Sequence, residues 1–308
     1  MPDRHAPATD PETGARPVRA ALMMGVASLL LGAAMLIAKT LGTGENALPA
    51  FQVTFGRYVF AALVLAGLAA ALRPTLTRPA LGLHLVRVSS GYGGATCMFA
   101  AAAFLPLADA TALSYLNPMV AMALAVPILG ERVGPVRWAA AAVALFGGLL
   151  LIRPGSAAFE PAALIGVAAA CLFGLEVTMI KLLSGREKPF QILLMSNGIG
   201  SLFAIIGAWL VWVPPSPFQW LLLAGIGIAI LSAQACYIQA LKAGDASYVV
   251  PISYATLIFA ALFDWAVYAV LPDSFSVAGS VLIIGSAIVL AWREVRARRR
   301  LEAADTDL

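Results

Sequence analysis

The segment GVASLLLGAAMLIAK (residues 25–39) returns later in the chain as GVAAACLFGLEVTMIK (residues 166–181). In each copy a glycine, Gly32 or Gly174, stands seven residues before the final lysine. With its flanks, each copy is apolar over a length that crosses a hydrocarbon core of about 30 Å. The pair therefore predicts a membrane protein with an internal duplication.

Further matches follow in the same order along the chain, at offsets of 136 to 142 residues. One such match would be noise in so apolar a sequence, but a collinear series indicates a true repeat. The matching pairs are Phe51-Gln52 with Phe190-Gln191, Asp109-Ala110 with Asp245-Ala246, and Ser114-Tyr115 with Ser253-Tyr254.

The composition agrees with a membrane protein. Hydrophobic residues make up 61% of the chain and charged residues only 12%, whereas soluble proteins carry roughly a quarter charged residues. Mean hydropathy is +0.89. We predict ten spans and interpret them as helices, because lipid cannot satisfy exposed backbone groups. They cover residues 20–41, 49–72, 83–105, 111–129, 135–152, 161–183, 190–213, 218–241, 246–271 and 275–292.

Five helices per copy is an odd number, so the second copy must insert upside down relative to the first. Inverted repeats are a common plan of secondary transporters, in which a midplane site opens to either side. We therefore predict an all-α integral membrane fold with two inverted five-helix repeats around a central cavity. The expected parts are a disordered cytoplasmic tail (1–18), two repeats (19–153 and 160–292) and a second cytoplasmic tail (293–308).

Basic residues predict the orientation. Of the 20 lysines and arginines, all except Lys39, Arg57 and Arg153 fall on one side of the membrane in this topology. Loops that stay in the cytoplasm carry such an excess. We expect a multi-pass protein of the bacterial inner membrane with both termini cytoplasmic. The oligomeric state is open, and a monomer is compatible with the sequence.

The stretch SYLNPMVAMALAVPILGERV (residues 114–133) resembles the fourth-helix signature of EamA-type transporters in the drug/metabolite transporter superfamily. In that signature a helix with a proline, here Pro118, ends in Leu-Gly-Glu, here residues 129–131. FGRY at 55–58 is similar to the aromatic-x-Arg element of the family's second helix. The second half departs from the pattern, with Leu271-Pro272-Asp273 where a second Gly-Glu is common. The resemblance implies ten helices, a central cavity, and export or uptake of a small organic solute.

Three charged residues, Arg57, Glu176 and Asp264, fall well inside predicted spans, where an ionisable group marks a functional site by default. Arg57 and Asp264 lie at similar depths, roughly 12 and 10 Å from one side at 1.5 Å per residue. They could form an ion pair, a shared site for a zwitterion, or a structural pair that closes the cavity. Glu176 lies nearer the opposite side without an evident partner. It could carry a proton for antiport, or bond to neighbouring helices.

The internal repeat helps to distinguish a functional from a structural role for these three charged residues. At the repeat offsets, Arg57 aligns with Ser196-Asn197, Glu176 with Ala34, and Asp264 with Ala125. The three charges therefore break the duplication, which a purely architectural role would not require. Aromatic and amide residues supply further candidates for the cavity wall, although each could instead serve helix packing or interface anchoring. These are Tyr92, Tyr115, Asn117, Tyr254 and Trp265.

Other polar and bending residues have structural interpretations. Lys39 and Lys181 recur in both copies, and we expect their side chains to extend to the lipid headgroups. Glu131 and Arg132 are interpreted as a cytoplasmic cap between two helices. The prolines within spans, Pro118, Pro127 and Pro251, predict bends.

The sequence does not favour an enzyme. The two histidines, His5 and His84, are far apart, the three cysteines lack metal-ligand spacing, and no GxxxxGK[ST] loop is present. We expect no catalytic residues, no metal, no cofactor and no nucleic-acid partner. A membrane-embedded lipid-modifying enzyme is the alternative of a different class.

The preferred interpretation is a secondary transporter that exports an amino-acid-like or zwitterionic metabolite. An opine-type metallophore is one candidate solute, and protons are candidate coupling partners. Uptake of a cofactor such as riboflavin or S-adenosylmethionine is the main alternative.

Overall fold

The computed structural model describes residues 11–130, 133–154, 160–184, 186–243 and 252–306. The regular elements in these ranges are all α-helices. In chain order they are α1 (Pro11–Gly42), α2 (Ala50–Leu72), α3 (Leu81–Phe104), α4 (Leu107–Ser114), α5 (Asn117–Leu129), α6 (Pro135–Ile152), α7 (Ala162–Ser184), α8 (Pro189–Leu210), α9 (Pro217–Ala243), α10 (Ala255–Tyr268) and α11 (Ser274–Thr306).

Many of these helices can cross a bilayer. Within the described ranges, seven segments are long and apolar enough, with α4 and α5 together forming one of them. The helix α10 and the apolar part of α11, Ser274–Val289, are shorter. The helix α3 is not among the seven, and it carries His84 and Arg87. An all-helical chain with this many apolar segments is a multi-pass membrane protein.

The terminal helices extend beyond the predicted spans. We expected disorder over residues 1–18, but α1 already begins at Pro11, so this prediction is wrong for residues 11–18. Extending an existing helix adds one hydrogen bond for each residue fixed, whereas starting a new one is costly. At the other end, α11 continues to Thr306 through the basic segment. The rest of the N-terminal tail, residues 1–10, lies outside the described residues.

The predicted fourth span, 111–129, is two helices. The helix α4 ends at Ser114 and α5 begins at Asn117, with Pro118 in its first turn. Proline lacks an N–H donor and restricts the residue before it, so it favours a new helix start. The Asn117 side chain donates to the Ser114 carbonyl oxygen at 2.9 Å and satisfies a group that the break leaves free. The bend predicted at Pro118 is confirmed, although as a complete break.

The predicted ninth span, 246–271, is described only from residue 252, where α10 follows at Ala255. Asp245-Ala246 and the predicted bend at Pro251 lie outside the described residues, as do Glu131 and Arg132.

Helices from the two halves of the chain pack against each other. The helix α1 packs on α9, α3 on α7, α2 on α8, and α6 on α11. The bundle has two ends, which we name by a residue near each. The Lys39 end holds the C-terminus of α1 and the N-termini of α2, α7 and α9. The His84 end holds the N-termini of α3 and α8 and the C-terminus of α2.

Two glutamines make the same contact at opposite ends. Gln52 donates to the Val213 carbonyl at 2.7 Å and accepts from its N–H at 3.1 Å. Gln191 donates to the Thr77 carbonyl at 3.1 Å and accepts from its N–H at 2.7 Å. Gln52 thereby fixes the α8–α9 connection at the Lys39 end, and Gln191 fixes the α2–α3 connection at the His84 end. Each glutamine satisfies both backbone groups of a residue in the other half.

A close helix crossing joins α6 and α11 at Gly147 and Gly279. A Cβ atom placed on Gly147 would lie 2.7 Å from the carbonyl oxygen of Gly279. A Cβ atom placed on Gly279 would lie 2.6 Å from the carbonyl oxygen of Gly147. Small residues allow backbones to approach in this way in membrane proteins. The crossing therefore requires glycine on both helices.

We expect Gly279→Ala to lower the free energy of unfolding by about 1–3 kcal/mol, because the added methyl group meets backbone that cannot move aside. The matched control is Gly285→Ala on the same helix, where an added Cβ has no neighbour within 4 Å. Thermal unfolding of both variants in the same detergent measures the difference. Equal unfolding temperatures for the two variants would contradict the close crossing.

An ion pair ties α6 to α11 at the Lys39 end. Arg153, which follows α6, donates to both carboxylate oxygens of Asp273. Asp273 also accepts the Ser276 N–H at 2.8 Å and so caps the start of α11. The Arg153 hydrogen bonds lower the pKa of the Asp273 carboxyl from its ordinary 3.8 to about 2.

This lowered pKa predicts a small pH-dependent stabilisation. The ionised carboxylate stabilises the fold above its ordinary pKa of 3.8, and the effect disappears as the pH falls through about 2. The Asp273 side chain is 52% exposed, so we expect a gain below about 1 kcal/mol. Unfolding temperatures of the wild type and Asp273→Asn, measured between pH 7 and pH 2, should differ at neutral pH and converge in acid. A difference that grows in acid would show the opposite linkage.

Candidate functional site

A cavity of about 210 Å³ lies between α1, α2, α3, α4, α7, α9 and α10. Much of its wall is apolar, including Met35, Met98, Phe99, Phe173 and Ile230. Six residues add polar groups: Arg57, Thr111, Ser114, Tyr115, Gln234 and Thr256. We call this the central cavity. An apolar wall with a few converging polar groups is typical of small-molecule sites.

Thr111 has an unused polar group at the central cavity. Its side chain is 3% exposed, and its hydroxyl oxygen has no hydrogen-bond partner among the residues that the structure describes. A buried hydroxyl without a partner is costly. Thr111 therefore carries a buried, unpaired hydroxyl in the wall of the central cavity.

The junction between α4 and α5 and the start of α10 lie next to each other at this cavity. Tyr115 lies at the break between α4 and α5, and Tyr254 immediately precedes α10. Their rings contact edge to face with centroids 4.9 Å apart. The Tyr115 hydroxyl also donates to the Ser253 carbonyl oxygen at 3.2 Å. Interrupted helices at depth place backbone groups beside a cavity, as in many transporter sites.

Arg57 is the charged residue that lines the central cavity. Its Nη1 donates to the Tyr58 hydroxyl at 3.1 Å, and its guanidinium group lies 4.5 Å from the centre of the Tyr58 ring. Among the described residues, no carboxylate lies within ion-pair distance of it. A partly buried guanidinium without a carboxylate is ready to bind an anionic group.

Asp264 does not pair with Arg57, so of the alternatives left open for these two residues the direct ion pair is not the one that the structure contains. One Asp264 oxygen accepts from Lys39 Nζ at 2.6 Å, and the other accepts the Leu107 N–H at 2.8 Å. Lys39 also donates to the Leu105 carbonyl at 3.3 Å. Lys39 is 8% exposed and Asp264 is 1% exposed. The expectation that Lys39 extends to the headgroups is therefore wrong, because α10 and the α3–α4 connection cover it.

Glu176 has a partner that the sequence did not reveal. Arg87 Nη2 lies 3.5 Å from Glu176 Oε1. Arg87 is 5% exposed, although we had counted it among the cytoplasmic basic residues, and it also donates to the Ile192 carbonyl at 3.2 Å. Glycine at position 91 makes the contact fit, because a Cβ there would lie 2.7 Å from the Glu176 carboxyl carbon.

The other candidate residues divide between cavity and packing positions. Tyr92 packs among aromatic rings, with centroids 6.2 Å from those of Tyr58 and Phe203, and does not line the central cavity. Asn117 caps the broken helix, as described above. Trp265 is exposed on the outside of the bundle. Of the five candidates, Tyr115 lines the central cavity, and Tyr254 contacts it there.

The buried Lys39–Asp264 pair should be important for stability. Asp264→Asn leaves Lys39 buried without a counter-charge, and breaking a buried pair in this way costs about 3 kcal/mol or more. The exchanged double variant Lys39→Asp/Asp264→Lys should recover part of the loss. Thermal unfolding in detergent measures both effects, with Asp273→Asn as the control for an exposed pair. A loss no larger than that of the control would contradict a buried pair.

Comparisons with known proteins agree with this architecture. The profile of the EamA-like transporter family matches residues 18–153 and again residues 160–292. A pseudopaline exporter of Pseudomonas aeruginosa is 28% identical over 79% of this chain and 87% of its own length. A riboflavin transporter of Vibrio cholerae is 27% identical over 94% and 98%. An S-adenosylmethionine uptake transporter of Rickettsia prowazekii is 26% identical over 84% and 87%.

These relatives are all named as transporters of small molecules, although they differ in solute and in direction. They indicate a transporter rather than an enzyme. Together with the two profile matches, they show that this chain is a small-molecule transporter and belongs to the EamA-like transporter family.

Proposed function

We propose that the chain is a secondary transporter in which two inverted five-helix repeats, 19–153 and 160–292, alternate the access of a central cavity. The reciprocal glutamine contacts support the inverted arrangement, because Gln52 and Gln191 make the same contact at opposite ends of the bundle. The two family-profile matches support the repeat boundaries. Related halves of opposite orientation allow the same site to open to either side.

The solute is a small amino-acid-like metabolite, and the observation that carries this proposal is Arg57. Its guanidinium lines the central cavity without a carboxylate partner in the described residues. Amino-acid-like compounds offer a carboxylate to Arg57. Of the earlier candidates, Arg57 and Tyr115 are placed to contact such a solute.

The preferred direction is export. The pseudopaline exporter supports export, and an opine-type metallophore is one candidate solute. The riboflavin and S-adenosylmethionine transporters support the alternative of cofactor uptake. Protons are the proposed coupling ion, with Glu176 as the proposed carrier.

The proposed location is the bacterial inner membrane, with both termini and the His84 end in the cytoplasm. Arg73, Arg78, Arg186 and Lys188 lie at the His84 end, in agreement with the excess of basic residues in cytoplasmic loops. The lipid bilayer surrounds the protein, and a monomer is compatible with this proposal.

A comparison of metabolites tests the proposal. Cells and medium of a deletion strain and an overexpressing strain are analysed without a preset target. Export predicts a solute that accumulates in the medium on overexpression and in the cells on deletion. Uptake predicts the reverse. Purified protein in liposomes that modifies a lipid and moves no solute would instead establish the membrane-enzyme alternative.

Arg57→Gln should reduce transport of the identified solute by at least about tenfold, because a hydrogen bond to a charged group contributes roughly 1.5–3 kcal/mol. Arg57→Lys should keep part of the activity, since the charge remains but the planar fork is lost. The control is Arg73→Gln, an exposed arginine just beyond α2. Initial rates of flux in liposomes measure the effect. Full activity of Arg57→Gln would remove Arg57 from the site.

A further inference from the structure

Behind the central cavity, Glu176 neutralises one of two buried or partly buried guanidinium groups, since its Oε1 lies 3.5 Å from Arg87 Nη2. Arg57 instead donates to the hydroxyl of Tyr58 at 3.1 Å, and Tyr58 is 2% exposed. Glu176 and Arg87 do not line the cavity, whereas Arg57 does. The cluster Arg57, Arg87 and Glu176 therefore has a surplus of one positive charge, which faces the cavity.

Two other buried contacts between oppositely charged residue types do not change this charge balance. Lys39 and Asp264 neutralise each other toward the Lys39 end, and neither side chain lines the central cavity. His84 and Glu187 form a contact of 2.9 Å toward the opposite end. Low-dielectric surroundings make an uncompensated charge costly, and a bound counter-charge removes that cost. The charge that completes the cluster must come from the solute.

We propose that, while Glu176 is ionised, the central cavity selects a solute presenting a single carboxylate to Arg57, and that the ionised Glu176 sets this number at one. The inference rests on the proposed function, in which the central cavity is the transport site. The carboxylate pairs with Arg57, Thr111 offers its free hydroxyl, and the rest of the solute packs on the apolar wall. A solute whose only charge is an ammonium group has no carboxylate to meet among the described residues of the cavity wall, because Asp264 is occupied by Lys39. A dianion exceeds the available charge.

Four probes with the same phenyl group and different charges test the inference. They are 3-phenylpropionate (one negative charge), 3-phenylpropanamide (neutral), 3-phenylpropylamine (one positive charge) and 2-phenylethylphosphonate at pH 8.5 (two negative charges). Dissociation constants are measured by calorimetry on purified full-length protein in detergent. For the wild type, we expect the carboxylate to bind at least about tenfold more tightly than each of the other three, as hydrogen bonds between charged groups predict.

Variants change the number of charges one at a time. Glu176→Gln gives the cluster two surplus positive charges, so its preference should move to the phosphonate by at least about tenfold. Arg57→Gln should reduce the difference between carboxylate and amide to about threefold or less. The double variant Arg87→Gln/Glu176→Gln removes the pair but keeps the surplus of one, and should retain the wild-type order. Arg73→Gln, outside the site, should also retain it.

Two results would overturn the inference. One is a wild type that binds the amide or the amine as tightly as the carboxylate, or that binds none of the probes. The other is a phosphonate preference unchanged by Glu176→Gln in protein that unfolds at the wild-type temperature. If Glu176→Gln does not fold, loss of the carboxylate preference in the double variant overturns it equally. The binding constants are measured independently of transport. Absence of flux in liposomes would therefore refute the proposed function, whereas the binding constants alone decide the inference about charge.

Discussion

Inside a bilayer no water is available to polar groups, so the protein must satisfy every charge and every free backbone group by itself. The Lys39–Asp264 pair does both at once. It neutralises two buried charges, and it also engages the Leu105 carbonyl and the Leu107 N–H where α3 ends and α4 begins. An interruption between two helices is tolerable at this depth because the ion pair occupies the backbone groups that the interruption frees.

The same requirement explains the second interruption, after Ser114. There Asn117 takes the free Ser114 carbonyl, and the Tyr115 ring closes against Tyr254. Polar side chains near these breaks are mostly satisfied by neighbouring backbone, as with Thr256, which donates to the Ser253 carbonyl at 2.8 Å. Arg57 is different, because it lines the central cavity and has no carboxylate within ion-pair distance among the described residues. A guanidinium without a carboxylate at a cavity wall is typical of a ligand site rather than of packing.

The sequence predicted an all-helical membrane protein, and it predicted that Gln52 and Gln191 are equivalent positions. Both predictions depend on local patterns. The sequence did not predict which residues form ion pairs with the buried charged residues. The rise per residue of a helix gives the depth of Arg57 and Asp264 but not the direction in which each side chain faces. Similar depth therefore could not decide whether the two residues form an ion pair. The repeat was also misleading for Lys39. Because Lys39 recurs as Lys181, both side chains were expected to extend to the lipid headgroups. Arg87 was counted as a loop charge because it lies only six residues into α3. Its partner is on α7, and single-sequence patterns do not show contacts between distant helices.

The eight-residue helix α4 connects the two buried charge systems. Its first residue, Leu107, holds Asp264 through its N–H, while Thr111 and Ser114 line the central cavity one and two turns later. A solute in the central cavity therefore lies against the same short helix whose first backbone N–H supports the Lys39–Asp264 pair. Breaking that pair in apolar surroundings is costly. The packing of α1, α4 and α10 thus depends on the ion pair at one end of α4, and the shape of the cavity depends on the residues one and two turns further along it.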